Sequence, residues 1–334
     1  MTRVVVLVAA TALCAAFTAG CSSGDQPRDE LMVTDNPVAA TPAHSPVPTA
    51  TPAGTLLPLA TPVTAVATDP TTRTLAVASG TELRLYDLDA LDKAPRALTL
   101  PGAAESLTLA GDGGAVLAAV PGRVVRVALP GGALDESVVE GSPVATATFG
   151  GDTLVAVRDR KQVAVLDDGQ VRRVISGSLL SADQVFSTGP GALVLDRLRN
   201  AVFQLDVNQG TFGQGLRAGQ GSTNGVVDRW GRVLVTDTRG GALLAFSLDP
   251  LLMRQRYPVA GSPYGIAYDA KRDLAWVTLT ETNEVVGYQV GGEEPVERHR
   301  YPTVAQPNSV AVDPETGRVV VASANGGGVQ VVRP

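Results

Sequence analysis

Pro263-Tyr264-Gly265-Ile266-Ala267-Tyr268-Asp269 and Pro307-Asn308-Ser309-Val310-Ala311-Val312-Asp313 are two copies of one pattern, and Pro62-Val63-Thr64-Ala65-Val66-Ala67-Thr68-Asp69 is a third. In each, a proline opens the run, small and branched apolar residues follow, and an aspartate closes it. Such a run suits a short strand, and the aspartate suits the turn after it, because its carboxylate accepts hydrogen bonds from nearby backbone N–H groups. Equivalent apolar positions fall at Val66, Leu107, Ala147, Val185, Val226, Ile266 and Val310, spaced 41, 40, 38, 41, 40 and 44 residues apart. A period near 40 with about four short strands per unit is the signature of propeller blades.

One unit can be parsed completely. Tyr264 to Tyr268 is an inner strand, Leu274 to Leu279 a second, Glu284 to Gln289 a third and Val296 to Tyr301 an outer one, with turn residues between them. The final unit supplies runs near 308–312, 318–323 and 328–332 and then ends, one strand short. Thr55-Leu56-Leu57-Pro58-Leu59 precedes the first unit and belongs to none. It matches outer runs such as Arg96-Ala97-Leu98-Thr99-Leu100. The deficit and the surplus predict an all-β fold: a seven-bladed β-propeller over 55–334, closed by an N-terminal strand that completes the last blade. Closure of this kind leaves no open sheet edge between first and last blades.

The N-terminus suggests a compartment. Thr2 and Arg3 precede an apolar run from Val4 to Phe17, too short to span a bilayer comfortably. Thr18-Ala19-Gly20-Cys21 follows and resembles the lipobox of bacterial lipoproteins. That resemblance implies a signal peptide over 1–20, cleavage before Cys21 and a diacylglyceryl thioether on its sulfur. The expected location is the outer face of the cytoplasmic membrane, with the lipid on Cys21 as the membrane contact, each buried methylene contributing about 0.8 kcal/mol. Cleavage would remove Cys14, leaving no partner for an internal disulfide. Residues 21–54, rich in Pro, Thr, Ala and Ser, are expected to form a disordered tether that could carry O-linked sugars.

Catalytic signatures are sparse. The two histidines are His44, in the tether, and His299, in an outer strand. There is no Gly-x-Ser-x-Gly elbow and no phosphate loop, and Gly213-Gln214-Gly215 lacks the following helix of a dinucleotide site. No catalytic residue, metal ligand or cofactor is assigned. The net charge of −6 and the lack of a basic face argue against nucleic acid as a partner. Asp69, Asp228, Asp269 and Asp313, each closing a first strand, are expected to cap turns.

Propeller geometry places first strands around a central channel. Aligning the units brings Thr64, Glu105, Ala145, Asp183, Asn224, Tyr264 and Asn308 to one level at its mouth. Loops on the same face carry Arg158 and Arg160, then Arg197 and Arg199, then Asp237 and Arg239. Glu105, Asp183, Asn224, Tyr264, Asn308 and these loop residues are the candidate ligand-binding set, because rigid loops bearing Arg, Asp and Asn suit recognition. The expected partner is an envelope protein, peptide or glycan. The alternative is a channel enzyme, a metal-dependent lactonase-like hydrolase or a quinoprotein-like oxidoreductase, with Glu105, Asp183, Asn224 and Asn308 as its metal-ligand set.

The opening runs at Pro263 and Pro307 resemble those of NHL- and YncE-like propeller repeats. The chain from Thr18 through the tether and Ala94-Pro95-Arg96-Ala97-Leu98-Thr99-Leu100-Pro101-Gly102 resembles the LppL-like lipoproteins of actinobacteria. The resemblance implies the propeller and the lipid anchor but no activity, and the second to fourth units depart from the NHL pattern.

Overall fold

The computed structural model describes residue 31 and residues 34–111, 113–189 and 191–334. The expected signal peptide, 1–20, and Cys21 lie outside them. Twenty-eight strands form seven four-stranded antiparallel sheets among the described residues. Blades one to six span 65–99, 106–138, 143–176, 184–217, 222–258 and 263–302, each with its strands, termed a to d, in chain order. The seventh joins strands within 307–332 to the strand Thr55–Leu57. There Thr55 faces Val331 and Leu57 faces Val329, antiparallel. The fold is therefore the expected seven-bladed β-propeller, closed as the missing outer strand required.

Packing explains why the strands differ in texture. Strand b lies inside each blade with neighbours on both faces, so Ala115–Val120 and Leu274–Leu279 are buried at every position. Strand d lines the rim and is largely exposed, as Leu134–Val138 and Leu252–Pro258 are. The buried apolar residues separate into seven clusters, one at each junction between neighbouring blades. No blade has a core of its own, so each depends on its neighbours to bury its apolar faces.

Aspartates fasten the turns. Asp69 accepts from the N–H groups of Thr71 and Thr72, and from Gly114 N in the next blade. Asp228 and Asp269 make the same kind of turn, as the strand-closing role predicted. Trp276 is buried and stacked against His299, with ring centroids 5.5 Å apart, so this histidine is a packing residue. Gly287 makes room for the indole: a Cβ there would lie 2.9 Å from Cη2 of Trp276.

One sequence expectation needs correcting. The part of the 21–54 tether described here is not a free leader. Ala40 is buried, and the segment from Val38 to Pro46 hydrogen-bonds across the loop face before the chain reaches Thr55. Composition suggested disorder because the segment has few large apolar groups. It is held instead by hydrogen bonds to its backbone, which composition does not register.

Candidate functional site

The d–a and b–c connections emerge on one face and surround a cavity of about 440 Å³ at the mouth of the channel. First strands deliver Asn224, Tyr264 and Asn308 to its wall, and Thr64, Glu105 and Asp183, each immediately before a first strand, join them, as the alignment of units predicts. Blade three contributes Val144 where Ala145 was expected. Arg158 and Arg197 complete the polar lining from the b–c loops of blades three and four.

Charge in this cavity is paired. Nε of Arg158 donates to Oδ1 of Asp183 at 2.8 Å, and its Nη1 lies 3.6 Å from Oε2 of Glu105. Asp183 is nearly buried, and its other oxygen accepts from the Ser181 hydroxyl at 2.5 Å and from Arg197 N at 2.9 Å. Glu105 and Arg158 are 51% and 41% exposed, so they are the charged groups open to an incoming ligand. Of the four candidate metal ligands, both carboxylates are already engaged by a guanidinium. No cluster of three or more His, Cys, Asp or Glu suited to a metal occurs among the described residues.

The amides of the ring are largely committed to holding blades together. Asn224 Nδ2 donates to Tyr264 O at 3.1 Å, and Gln184 donates to Asn224 Oδ1. Asn308 Oδ1 accepts from Gln306 Nε2 at 3.0 Å. Gly265 lets the last blade approach, since a Cβ there would stand 2.8 Å from Asn308 O.

The outlying candidates divide. Asp237 is fully buried and accepts from the N–H groups of Gln220, Gly221 and Gly240. It shapes two loops and presents nothing to a ligand. Gly219 and Gly240 make room for it, since a Cβ at either would come within 2.1 and 2.0 Å of its Oδ2. Arg199 lies over the Phe203 ring at 5.7 Å and 3.8 Å from Asp196. Arg160 is on the open rim, 4.0 Å from Asp159 and away from the cavity. Arg197 and Arg239 both donate to backbone carbonyls of the leader. Sequence reasoning missed Gln306, Thr280 and Ser181, uncharged residues whose spacing carries no motif.

No family model matches the chain, and no curated protein matches it. Solved structures do. Hydrazine synthase from Kuenenia stuttgartiensis has a chain with a TM-score of 0.69 at 17% identity, the match covering 84% of this chain and 97% of that one. A chain of the mitotic checkpoint complex has a TM-score of 0.73 at 10% identity, covering 89% and 97%. Streptogramin B lyase has a TM-score of 0.69 at 10% identity, covering 84% and 96%. The protein thus shares the propeller fold with enzymes and with non-enzymes, and at these identities the likeness is one of fold alone.

Proposed function

We propose that the protein is a lipid-anchored binding module of the bacterial cell envelope, which takes a polar ligand, a glycan or a peptide, at the mouth of the propeller channel. The observation that carries this reading is the arrangement of Glu105, Arg158 and Asp183 in a polar cavity of about 440 Å³, walled by first strands of several blades. A half-exposed carboxylate beside a half-exposed guanidinium offers an acceptor and a donor side by side, each at the end of a packed strand. That suits hydroxyl and amide groups better than an apolar ligand. A cation-dependent hydrolase would need both carboxylates free, and Asp183 is held by Arg158, the Ser181 hydroxyl and Arg197 N.

The test has two arms. Cys21→Ala should shift the expressed protein from the membrane to the soluble fraction, while the parent chain incorporates a clickable palmitate analogue. Titration calorimetry with soluble peptidoglycan fragments and with polar oligopeptides should show binding that Glu105→Gln and Arg158→Ala each weaken about tenfold. An unchanged membrane fraction for Cys21→Ala would remove the anchor. Binding indifferent to both cavity variants would remove the site.

A further inference from the structure

The segment Val38–Pro46 is seated on the same face as the channel mouth, along the loops of blades four to seven. Its contacts are mostly to main-chain atoms. Arg197 Nη2 donates to Ala40 O at 2.7 Å, and Arg239 Nη2 to Val38 O at 3.0 Å. Gln306 grips the chain from both sides: its Nε2 donates to Ala43 O at 2.9 Å while its Oε1 accepts from Ser45 N at 3.1 Å. Thr280 Oγ1 accepts from Ala43 N at 3.0 Å, and Asn283 Nδ2 donates to Pro46 O at 2.8 Å.

The leader's own side chains contribute little. Ser45 Oγ donates to Thr280 O at 2.5 Å and accepts from Gln306 N at 3.0 Å. Ala40 is 2% exposed and packs on Gly221, where a Cβ would lie 2.9 Å from its own. The site therefore recognises chiefly backbone, with one steric demand, a small residue over Gly221, and one polar side-chain contact, through the Ser45 hydroxyl.

The groups that grip the leader are held by the blades themselves. Asn283 Oδ1 accepts from Gln306 N, Gln306 Nε2 also reaches Asn308 Oδ1, and Thr280 Oγ1 also donates to Ser262 O. They would keep their places with the leader gone, which is the preorganisation a peptide site requires. The leader, in contrast, lies in no strand between Asn36 and Gly54, and Val47 is 85% exposed. It can lift from the face without unpairing Thr55–Leu57.

We propose that Arg197, Arg239, Thr280, Asn283 and Gln306 form a second binding site, for peptide segments rich in Pro, Ala, Ser and Thr, which the leader occupies in cis and an envelope polypeptide of like composition occupies when the leader is displaced. The cis leader acts at an effective concentration on the order of millimolar, so a competing peptide meets a largely filled groove in the resting protein. The site shares Arg197 with the channel-mouth cavity and otherwise stands on these contacts, without use of Glu105, Arg158 or Asp183.

The experiment uses the full chain. Ala40→Arg places a long side chain where Gly221 leaves space for a methyl group. Ser45→Pro, a second variant, removes both the N–H and the hydroxyl that Gln306 holds. Hydrogen exchange over 38–46 reports whether the leader lifts. Two fluorescein-labelled peptides serve as probes: the native sequence of 36–49, and one of the same composition in another order that keeps alanine over Gly221. Both should bind the Ala40→Arg chain at least about tenfold more tightly than the parent, and adding Gln306→Ala should abolish that binding. The proposal fails if exchange shows the leader still seated in both variants. It fails equally if a lifted leader exposes a face that binds neither peptide, or only the native order, which would make the contact a private latch.

Discussion

Nη1 of Arg73, in the first blade, lies 2.9 Å from the buried Oδ2 of Asp313 in the last. The pair spans the junction where the ring closes, at the inner edge of the blade whose outer edge the strand Thr55–Leu57 completes. Burial alone would push the Asp313 carboxyl up, but the Thr316 hydroxyl and the Arg73 guanidinium outweigh it and hold the group below its ordinary value.

From this follows a pH dependence. A carboxyl depressed in the folded state contributes stability above its unfolded value of 3.8, and that contribution is lost as pH falls through the lower folded value. Arg73→Ala leaves a buried carboxylate with fewer partners and should cost about 1–3 kcal/mol at neutral pH. In urea titrations the gap between parent and variant should narrow below pH 3.8. A gap that stays constant into acid would sever the pair from closure.

Closure by the N-terminal strand is tested by two neighbours of opposite exposure. Leu57 is 6% exposed in the cluster between blades seven and one, and Leu56 is 49% exposed. Leu57→Ala should destabilise the whole ring by about 2–4 kcal/mol. Leu56→Ala should change it by less than about 0.5 kcal/mol. Equal effects in chemical denaturation would contradict the observed register.

Gly287 and Trp276 form a matched pair. Gly287→Ala would press a methyl group into the indole and should cost about 1–3 kcal/mol. The two tryptophans allow an optical check, since Trp276 is 1% exposed and Trp230 61% exposed. In a Trp230→Phe background the remaining emission should be blue-shifted, and Gly287→Ala should move it to the red.

Tyr288 provides an alkaline counterpart. Burial, with a smaller push from Glu297, raises its phenol to about 12. A raised phenol stabilises the fold below its ordinary value near 10, and that contribution disappears as pH climbs through the folded value. Burial and Asp273 raise the Tyr268 phenol as well, so absorbance titration should show two late-ionising tyrosines, one of which Tyr288→Phe removes. If Tyr288→Phe instead removes ionisation near 10, the site is wetter than its packing implies.

Much of the architecture was open to reading from the chain. Strands that alternate or run apolar, separated by turn formers at a near-constant period, specify blades because the pleat allows side chains only two faces. The shortage of one strand after Val332 and the extra run at Thr55 are visible as arithmetic. The first-strand residues of the channel mouth followed from the same alignment, since equivalent positions in repeated units converge on the axis.

The loops behaved otherwise. Asp237 and Arg239 are two residues apart, yet one turns inward to satisfy three N–H groups and the other reaches out to Val38 O. A run of Pro, Thr and Ala gave no hint that it would be pinned by Gln306, some 260 residues away. The amino-acid order by itself determined the ring, because repetition and hydrophobic alternation are local properties of the chain. Only the tertiary structure decided which polar groups are spent on the fold, which line the channel mouth and where the leader lies. Those outcomes rest on hydrogen-bond geometry between loops of different blades, and that geometry exists only once the blades have packed.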